Sequence, residues 1–238
     1  MTKKPLNSGL IFKKKINLKI SILFIMLSLG VEISAFELKP YEAKYLASKL
    51  GIEITGTRKL EKIDTNKYKI SMKTNFLWFK LYESSEFILT EKNKIVPLKY
   101  EYKNTGKKNK NIKMLFDREN SILIKYINGD KFEHPLKEDV YDRLSYQEQM
   151  RLELINNSEI NYFEYRVLDH NKISEYIFLK KEDDSDNERI IVFERAIEDK
   201  SIKITFSEKY DYIPEEFLLE KNGEEQTISL YMINNLKL

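Results

Sequence analysis

The sequence predicts a mainly β domain, a curled antiparallel sheet packed around one main helix near residues 141–156, and three observations carry that expectation. Most patterned segments alternate apolar and polar residues with a period of two, as a strand with one buried face must. Asn-Gly dipeptides separate several of these segments, where a tight hairpin needs residues that accept positive φ. One stretch, Val140 to Leu154 (VYDRLSYQEQMRLEL), abandons the alternation for helical spacing.

Residues 1–35 stand apart from this pattern. They hold six lysines and one acid, Glu32, with a run of low polarity from Ile20 to Val31 (ISILFIMLSLGV) and the exit Ile33-Ser34-Ala35. A basic start, an apolar core of about a dozen residues and a small-residue exit match a secretory signal peptide cleaved after Ala35. The run is short for a bilayer span, which takes about 20 residues; an uncleaved anchor is the alternative. Residues 36–238 are then a single β-rich exported domain, periplasmic or secreted, with no stable transmembrane span.

Composition narrows the function classes. The chain is formally +3, but residues 36–238 carry 35 basic and 37 acidic side chains. The cationic excess that nucleic-acid binding depends on therefore belongs to the leader. There is no cysteine, which excludes disulfides, Cys-based metal sites and a lipid-anchored terminus of the bacterial lipoprotein type.

Along the domain, Lys67 to Phe76 (KYKISMKTNF) sets Tyr68, Ile70, Met72 and Phe76 against Lys67, Lys69, Ser71, Lys73 and Asn75. Leu98, Tyr100 and Tyr102 repeat the pattern, followed by Ile122, Ile124 and Tyr126, and by Ile202, Ile204 and Phe206. Such alternation belongs to antiparallel sheets, apolar inside and polar outside. Asn128-Gly129 and Asn222-Gly223 are the hairpin turns. Roughly eleven to thirteen strands are expected, with no repeat of fixed period and no linker.

In the helical stretch, Ser145-Tyr146-Gln147-Glu148 has the spacing of a capping box, and Asp142 is an alternative cap. Asp142, Ser145, Gln149 and Glu153 form a narrow polar stripe, while Leu144, Tyr146, Met150, Leu152, Leu154 and Ile155 spread over the remaining arc. An apolar arc that wide predicts a helix buried on most of its circumference. Arg151 falls among the apolar neighbours, so it either snorkels outward or pairs with a buried acid such as Asp117.

Motifs for catalysis are lacking: there is no H-E-x-x-H, P-loop or G-x-S-x-G. Asp169 and His170 are adjacent, so on a strand they point to opposite faces and Asp169 cannot orient the imidazole. His134, before Pro135, reads as a connection residue. The acidic run Glu182 to Glu188 lacks the glycine and glutamate spacing of an EF-hand and reads as a solvated hairpin tip. The lysine-rich Lys103 to Lys113 reads likewise, with contact to anionic lipid as the alternative. No metal and no cofactor are expected. In Phe76-Leu77-Trp78-Phe79, with Leu81 and Tyr82, alternation breaks and apolar groups face both sides; a doubly covered strand and an apolar binding patch are both open.

Several phrases together resemble the bacterial exported family called domain of unknown function 3108. They are Glu83-Ser84-Ser85 with Phe87, Val96-Pro97-Leu98 with Tyr100 and Tyr102, Phe116-Asp117, Tyr212-Ile213-Pro214 and, most specifically, Tyr141-Asp142-Arg143-Leu144-Ser145-Tyr146-Gln147 with Gln149, Arg151 and Leu154. The resemblance implies an antiparallel sheet wrapped around helical packing, half-barrel-like and similar to periplasmic lipoprotein carriers, with no assigned reaction. It marks Asp117, Asp142, Leu144, Ser145 and Arg151 as the structural motif. The Glu182 to Glu188 loop departs from the shorter glycine-bearing turn expected in that family.

The expected function is a non-enzymatic periplasmic protein that binds an apolar or amphipathic envelope component, lipid or lipoprotein-related, in the concave face of the sheet. Its candidate lining is Phe76, Trp78, Phe79, Tyr100 and Tyr102, because such pockets are mostly aromatic and apolar. The alternative is an envelope interaction or assembly factor with a filled sheet interior, gripping another protein by a strand edge or the Trp78 segment.

Overall fold

The computed structural model describes residues 37–49, 52–76, 79–106, 110–136, 139–169, 172–181, 190–197 and 200–234; the side chains of residues 49, 52, 76, 79 and 197 lie outside that description. Residues 36–238 form one compact unit.

Its strands are β1 (Tyr41–Lys49), β2 (Ile52–Lys62), β3 (Lys67–Phe76), β4 (Phe79–Leu89), β5 (Ile95–Asn104), β6 (Lys110–Asp117), β7 (Ile122–Ile127), β8 (Asp130–Pro135) and β9 (Val140–Asp142). After the helix α1 (Ser145–Asn156) come β10 (Tyr162–Leu168), β11 (Ile173–Lys181), β12 (Ile190–Ile197), β13 (Lys200–Ser207), β14 (Pro214–Lys221) and β15 (Glu224–Asn234). All fifteen belong to one sheet, ordered β8-β7-β6-β5-β4-β3-β2-β1-β15-β14-β13-β12-β11-β10-β9. Two meanders thus meet where β1 pairs with β15.

Every neighbouring pair is antiparallel except β9 with β10, which run parallel through Arg166↔Val140 to Leu168↔Asp142. A parallel pair needs a crossover of about a dozen residues or more, usually a helix. That requirement is the reason for α1: it is the crossover of the sheet's only parallel step among the described residues, and it lands on the concave face.

The sheet rolls until its β9 edge reaches the face of the other meander. Ser85 of β4 donates to Asp142 of β9 at 2.6 Å, and Arg118 Nη2, just after β6, donates to the Val140 carbonyl at 3.3 Å. Two cores result. The larger holds α1 through Leu144, Tyr146, Met150, Leu152 and Leu154, against Tyr41 and Tyr45 of β1, Ile70 of β3, Phe87 of β4 and Phe163, Phe178, Phe193 and Phe206 of the second meander. Phe163 and Phe193 meet at 4.5 Å between centroids. The smaller packs Tyr100, Ile112, Met114, Phe116 and Leu123 against Val140 and Leu168. Each fully buried large apolar side chain is worth roughly 1.5–3 kcal/mol, so the seam between β9 and β5–β7 is held by packing where a hydrogen-bonded ladder is missing.

Several sequence expectations hold. The hairpin turns form with Asn128 at φ 51° and Gly129 at 104°, Asn222 at 53° and Gly223 at 78°. The helix is buried nearly all round, down to Ser145, Gln149 and Arg151. Others need correction. There are more strands than expected, because β9 has only three residues and β8 (DKFEHP) has Phe132 as its one large apolar side chain, so neither shows an apolar period. On β7 the buried face is Leu123 and Lys125, not Ile122, Ile124 and Tyr126; with Ile-Leu-Ile in series both parities are apolar, and pairing of Leu123 with buried Phe116 decides. His134 lies in the exposed edge strand β8, not in a connection. His170 and Glu182 to Glu188 lie outside the described residues.

Candidate functional site: an open cleft over a closed ionic end

Alternation and register divide the concave side into two ends. The hairpins β2–β3, β4–β5 and β13–β14 turn at one end, where α1 fills the interior. The hairpins β1–β2, β3–β4, β10–β11, β12–β13 and β14–β15 turn at the other, and there the interior stays open.

At the closed end Glu148 is the hub. Its Oε1 accepts from Tyr41 Oη at 2.6 Å and Arg58 Nη2 at 2.8 Å, and its Oε2 faces Arg151 Nη1 at 3.4 Å. Arg58 also donates through Nε to Tyr41 Oη and through Nη1 to Gln147 Oε1. Arg151 donates through Nε to the Asp211 carbonyl at 2.9 Å and through Nη2 to its carboxylate at 2.5 Å. Burial pushes the Glu148 carboxyl up, but Arg58 and Arg151 outweigh it and hold the group below its ordinary value. Arg151 therefore pairs with buried acid as expected, but its partners are Glu148 and Asp211. Asp117 instead accepts from Asn120 at the β6–β7 turn. The capping box fails for the same reason: the Glu148 side chain is drawn to the arginines.

Asp142 starts the helix in its place. Its carboxylate accepts from Ser85 Oγ and from the backbone N–H groups of Leu144 and Ser145, while its own N–H donates to Ser145 Oγ. Burial pushes Asp142 up to about 6 in spite of those bonds. This knot locks the turn before α1 and so fixes Arg143, Leu144, Tyr146 and Gln147 along the open end.

There they border a cleft of about 1180 Å³, whose other walls include Ser174 and Tyr176 of β11, Arg195 of β12, Lys200 and Ile202 of β13, Leu219 and Lys221 of β14 and Glu224 and Gln226 of β15. Tyr146 meets Tyr176 edge to face at 5.4 Å. Arg195 lies flat over the Tyr176 ring, its guanidinium carbon 3.6 Å from the centroid. Its Nε is buried and has no hydrogen-bond partner among the described residues. Arg143 reaches Glu83 at 3.7 Å and Asp169 at 3.8 Å. Burial works against its charge, yet Glu83, Tyr100 and Asp169 raise its pKa on balance. The wall sets a few aromatic and aliphatic side chains among a larger number of charged and polar ones, so it is amphipathic and more polar than an ordinary small-molecule pocket.

The candidate lining residues fare differently. Tyr100 is fully buried in the smaller core and donates to Glu83 at 2.6 Å. Tyr102, half-buried, packs on that core; neither forms the cleft wall. Phe76 and Phe79 pair by backbone register at the tip of β3–β4, at the open end, but their side chains and Trp78 lie outside the described residues. Leu144 is the predicted residue that touches both core and cleft. Sequence reasoning missed Arg58, Glu148 and Arg195 as site residues. Their signal was present: Arg58 follows Ile54 and Gly56 on the inward parity of β2, and Arg195 follows Ile191 and Phe193 on that of β12. A cation on the apolar parity of a strand must find a partner or face a cavity.

The arrangement defines a class, a single rolled β-sheet with a helical plug at one end and an open amphipathic cleft at the other. The chain belongs to the family described as Protein of unknown function (DUF3108), which it matches over residues 40–216. No curated protein matches it. Among solved structures it is similar to a beta-barrel-like protein of domain of unknown function DUF1849 from Brucella abortus, with a TM-score of 0.55 and 7% identity over 85% of this chain and 100% of that one. That likeness is one of fold. No helix among the described residues is long and apolar enough to cross a membrane.

Proposed function

We propose that the domain is a non-catalytic binding protein of the cell envelope that holds an amphipathic small molecule in the open cleft. The carrying observation is the cleft itself, which combines an apolar wall of Leu144, Tyr146, Tyr176, Ile202 and Leu219 with charged groups. Such a wall suits a molecule with an apolar body and a polar head. The basic and apolar residues 1–35 support an exported location, periplasmic or secreted. Nucleic acid has no place in this reading, since residues 36–238 carry no cationic excess.

The test is native mass spectrometry with lipid extraction on the full-length chain made in a bacterial host. A stoichiometric amphiphile is expected, and Leu219→Glu, which charges the half-buried apolar wall, should release it while the melting temperature holds. A clean apo mass for the wild type would sink the reading. It would favour instead assembly through β8, an edge strand whose six residues are all exposed, Phe132 among them; free strand edges accept added strands.

A further inference from the structure

Resting on that cleft reading, we propose that the cleft contains an oxyanion subsite centred on Arg195, which receives the negatively charged headgroup of the bound amphiphile.

Three observations converge on it. A buried donor without a partner is rare in native proteins; Arg195 Nε is such a donor among the described residues, so nothing there draws the guanidinium away from the cleft that Arg195 borders. Stacking on Tyr176 then fixes the guanidinium plane. A guanidinium held by its face keeps its N–H edges free, and those edges form the planar fork that matches two oxygens of a carboxylate or phosphate. Finally, Lys200 and Lys221 stand directly opposite each other on β13 and β14, both on the cleft wall. Like charges in direct cross-strand register are destabilising; Glu224 offsets Lys221 from β15, and an anion over Lys200 relieves the rest.

The acids among the lining residues do not cancel this. Glu175, Glu220 and Glu225 occupy the alternate, outward parity of their strands, and Ser201 donates to Glu220 there. Glu83 is engaged by Tyr100 and Arg143, and Asp169, beyond β10, by Arg143. Glu224 alone shares the inward parity near the cations, opposite Lys221, which leaves Arg195 and Lys200 to meet the ligand. Arg143 stands on the α1 side of the same cleft and adds to the positive field despite its own acids. The aromatic and aliphatic wall of Tyr146, Tyr176, Ile202 and Leu219 continues from the subsite and takes the chain of the amphiphile.

The experiment titrates the full-length chain, wild type and Arg195→Met, with three single-chain lipids of equal length: a monoacylglycerol, a lysophosphatidic acid and a fatty acid. In the wild type at least one anionic lipid should bind about tenfold or more tightly than the neutral one, a difference equal to about 1.4 kcal/mol. The preference for phosphate or for carboxylate identifies the source of the oxyanion. In Arg195→Met the difference between anionic and neutral lipid should collapse to about twofold, and Arg195→Lys, which keeps charge but loses the fork, should restore only part of it. Equal affinity for all three lipids in the wild type overturns the subsite and leaves the cleft reading intact. An anionic preference that survives Arg195→Met also overturns it, and binding of none of the three removes both.

Discussion

Two arginines face the interior from opposite ends of the rolled sheet, and their surroundings differ in kind. Arg151 is completely buried, and its guanidinium is met by Glu148, the Asp211 carboxylate and the Asp211 carbonyl. Arg195 is half-buried, stacked on one ring, and its Nε has no hydrogen-bond partner among the described residues. Buried charge is tolerated only when paired and hydrogen-bonded. The first end follows that rule completely and so builds the fold; the second leaves it unfinished among the described residues, which is the ground for the proposed ligand subsite.

The sharpest way to break this contrast is Glu148→Ala. It strips Arg58 and Arg151 of the carboxylate they share and leaves two buried cations near each other. Removing one member of a buried ion pair costs about 3–5 kcal/mol, so the unfolding free energy from urea denaturation should fall by that amount, through a lower midpoint with little change in slope. A loss below about 1 kcal/mol would mean that water reaches the closed end and that the two ends are alike.

Next in size is a pH dependence that belongs to the start of α1. The folded pKa of Asp142 is raised to about 6 by burial, against about 3.9 for a free side chain. A raised folded pKa contributes stability that is fully present below the unfolded value and lost as pH rises through the folded one. Stability should therefore fall between about pH 4 and pH 6, by roughly 3 kcal/mol at 1.36 kcal/mol per unit. Glu148, held low, acts in the opposite sense and below its ordinary pKa, so its contribution is complete before this window closes. Asp142→Asn should flatten the fall in denaturation midpoints measured from pH 4 to 7. A residual slope is expected from Glu153 and Glu215, which burial also raises. An unchanged slope would show that Asp142 is hydrated.

What the sequence made legible follows the same division. Period-two alternation disclosed the strands wherever one parity was polar, as in Lys67 to Phe76, and the Asn-Gly turns fixed two hairpins. Helical spacing disclosed α1 and the burial of Leu144, Met150 and Leu154. Where both parities are apolar, as at Ile122-Leu123-Ile124, only pairing with β6 decides which face is buried. One partner of Arg151 was hidden for a related reason: Asp211 lies sixty residues away in sequence, in a positive-φ turn at φ 54°, and local spacing carries no trace of such a contact, unlike Glu148 one helical turn before it. Of the aromatic candidates for the lining, Tyr100 goes to the smaller core and Tyr102 packs on it, whereas the side chains of Phe76, Trp78 and Phe79 lie outside the described residues. Arg195, a cation on an apolar parity, borders the cleft instead.

The smallest expected effect gives the finest test of the contrast. Arg195→Met keeps an unbranched side chain against the Tyr176 ring, where a thioether also packs favourably, and it removes a buried donor that nothing satisfies. The stacking lost and the unsatisfied group removed act in opposite directions. Ligand-free stability should then change by no more than about 0.5 kcal/mol, the range of substitutions that break no network, with a thermal midpoint close to that of the wild type. A loss of several kcal/mol would place Arg195 with Arg151, as a structural cation whose partner lies among the residues beyond those described. Stability that is unchanged without ligand, together with a weakened rise in midpoint on adding an anionic amphiphile, would separate the ends cleanly: binding to the folded state alone stabilises in proportion to the logarithm of affinity, so a cation that serves only the ligand shows itself only when the ligand is present.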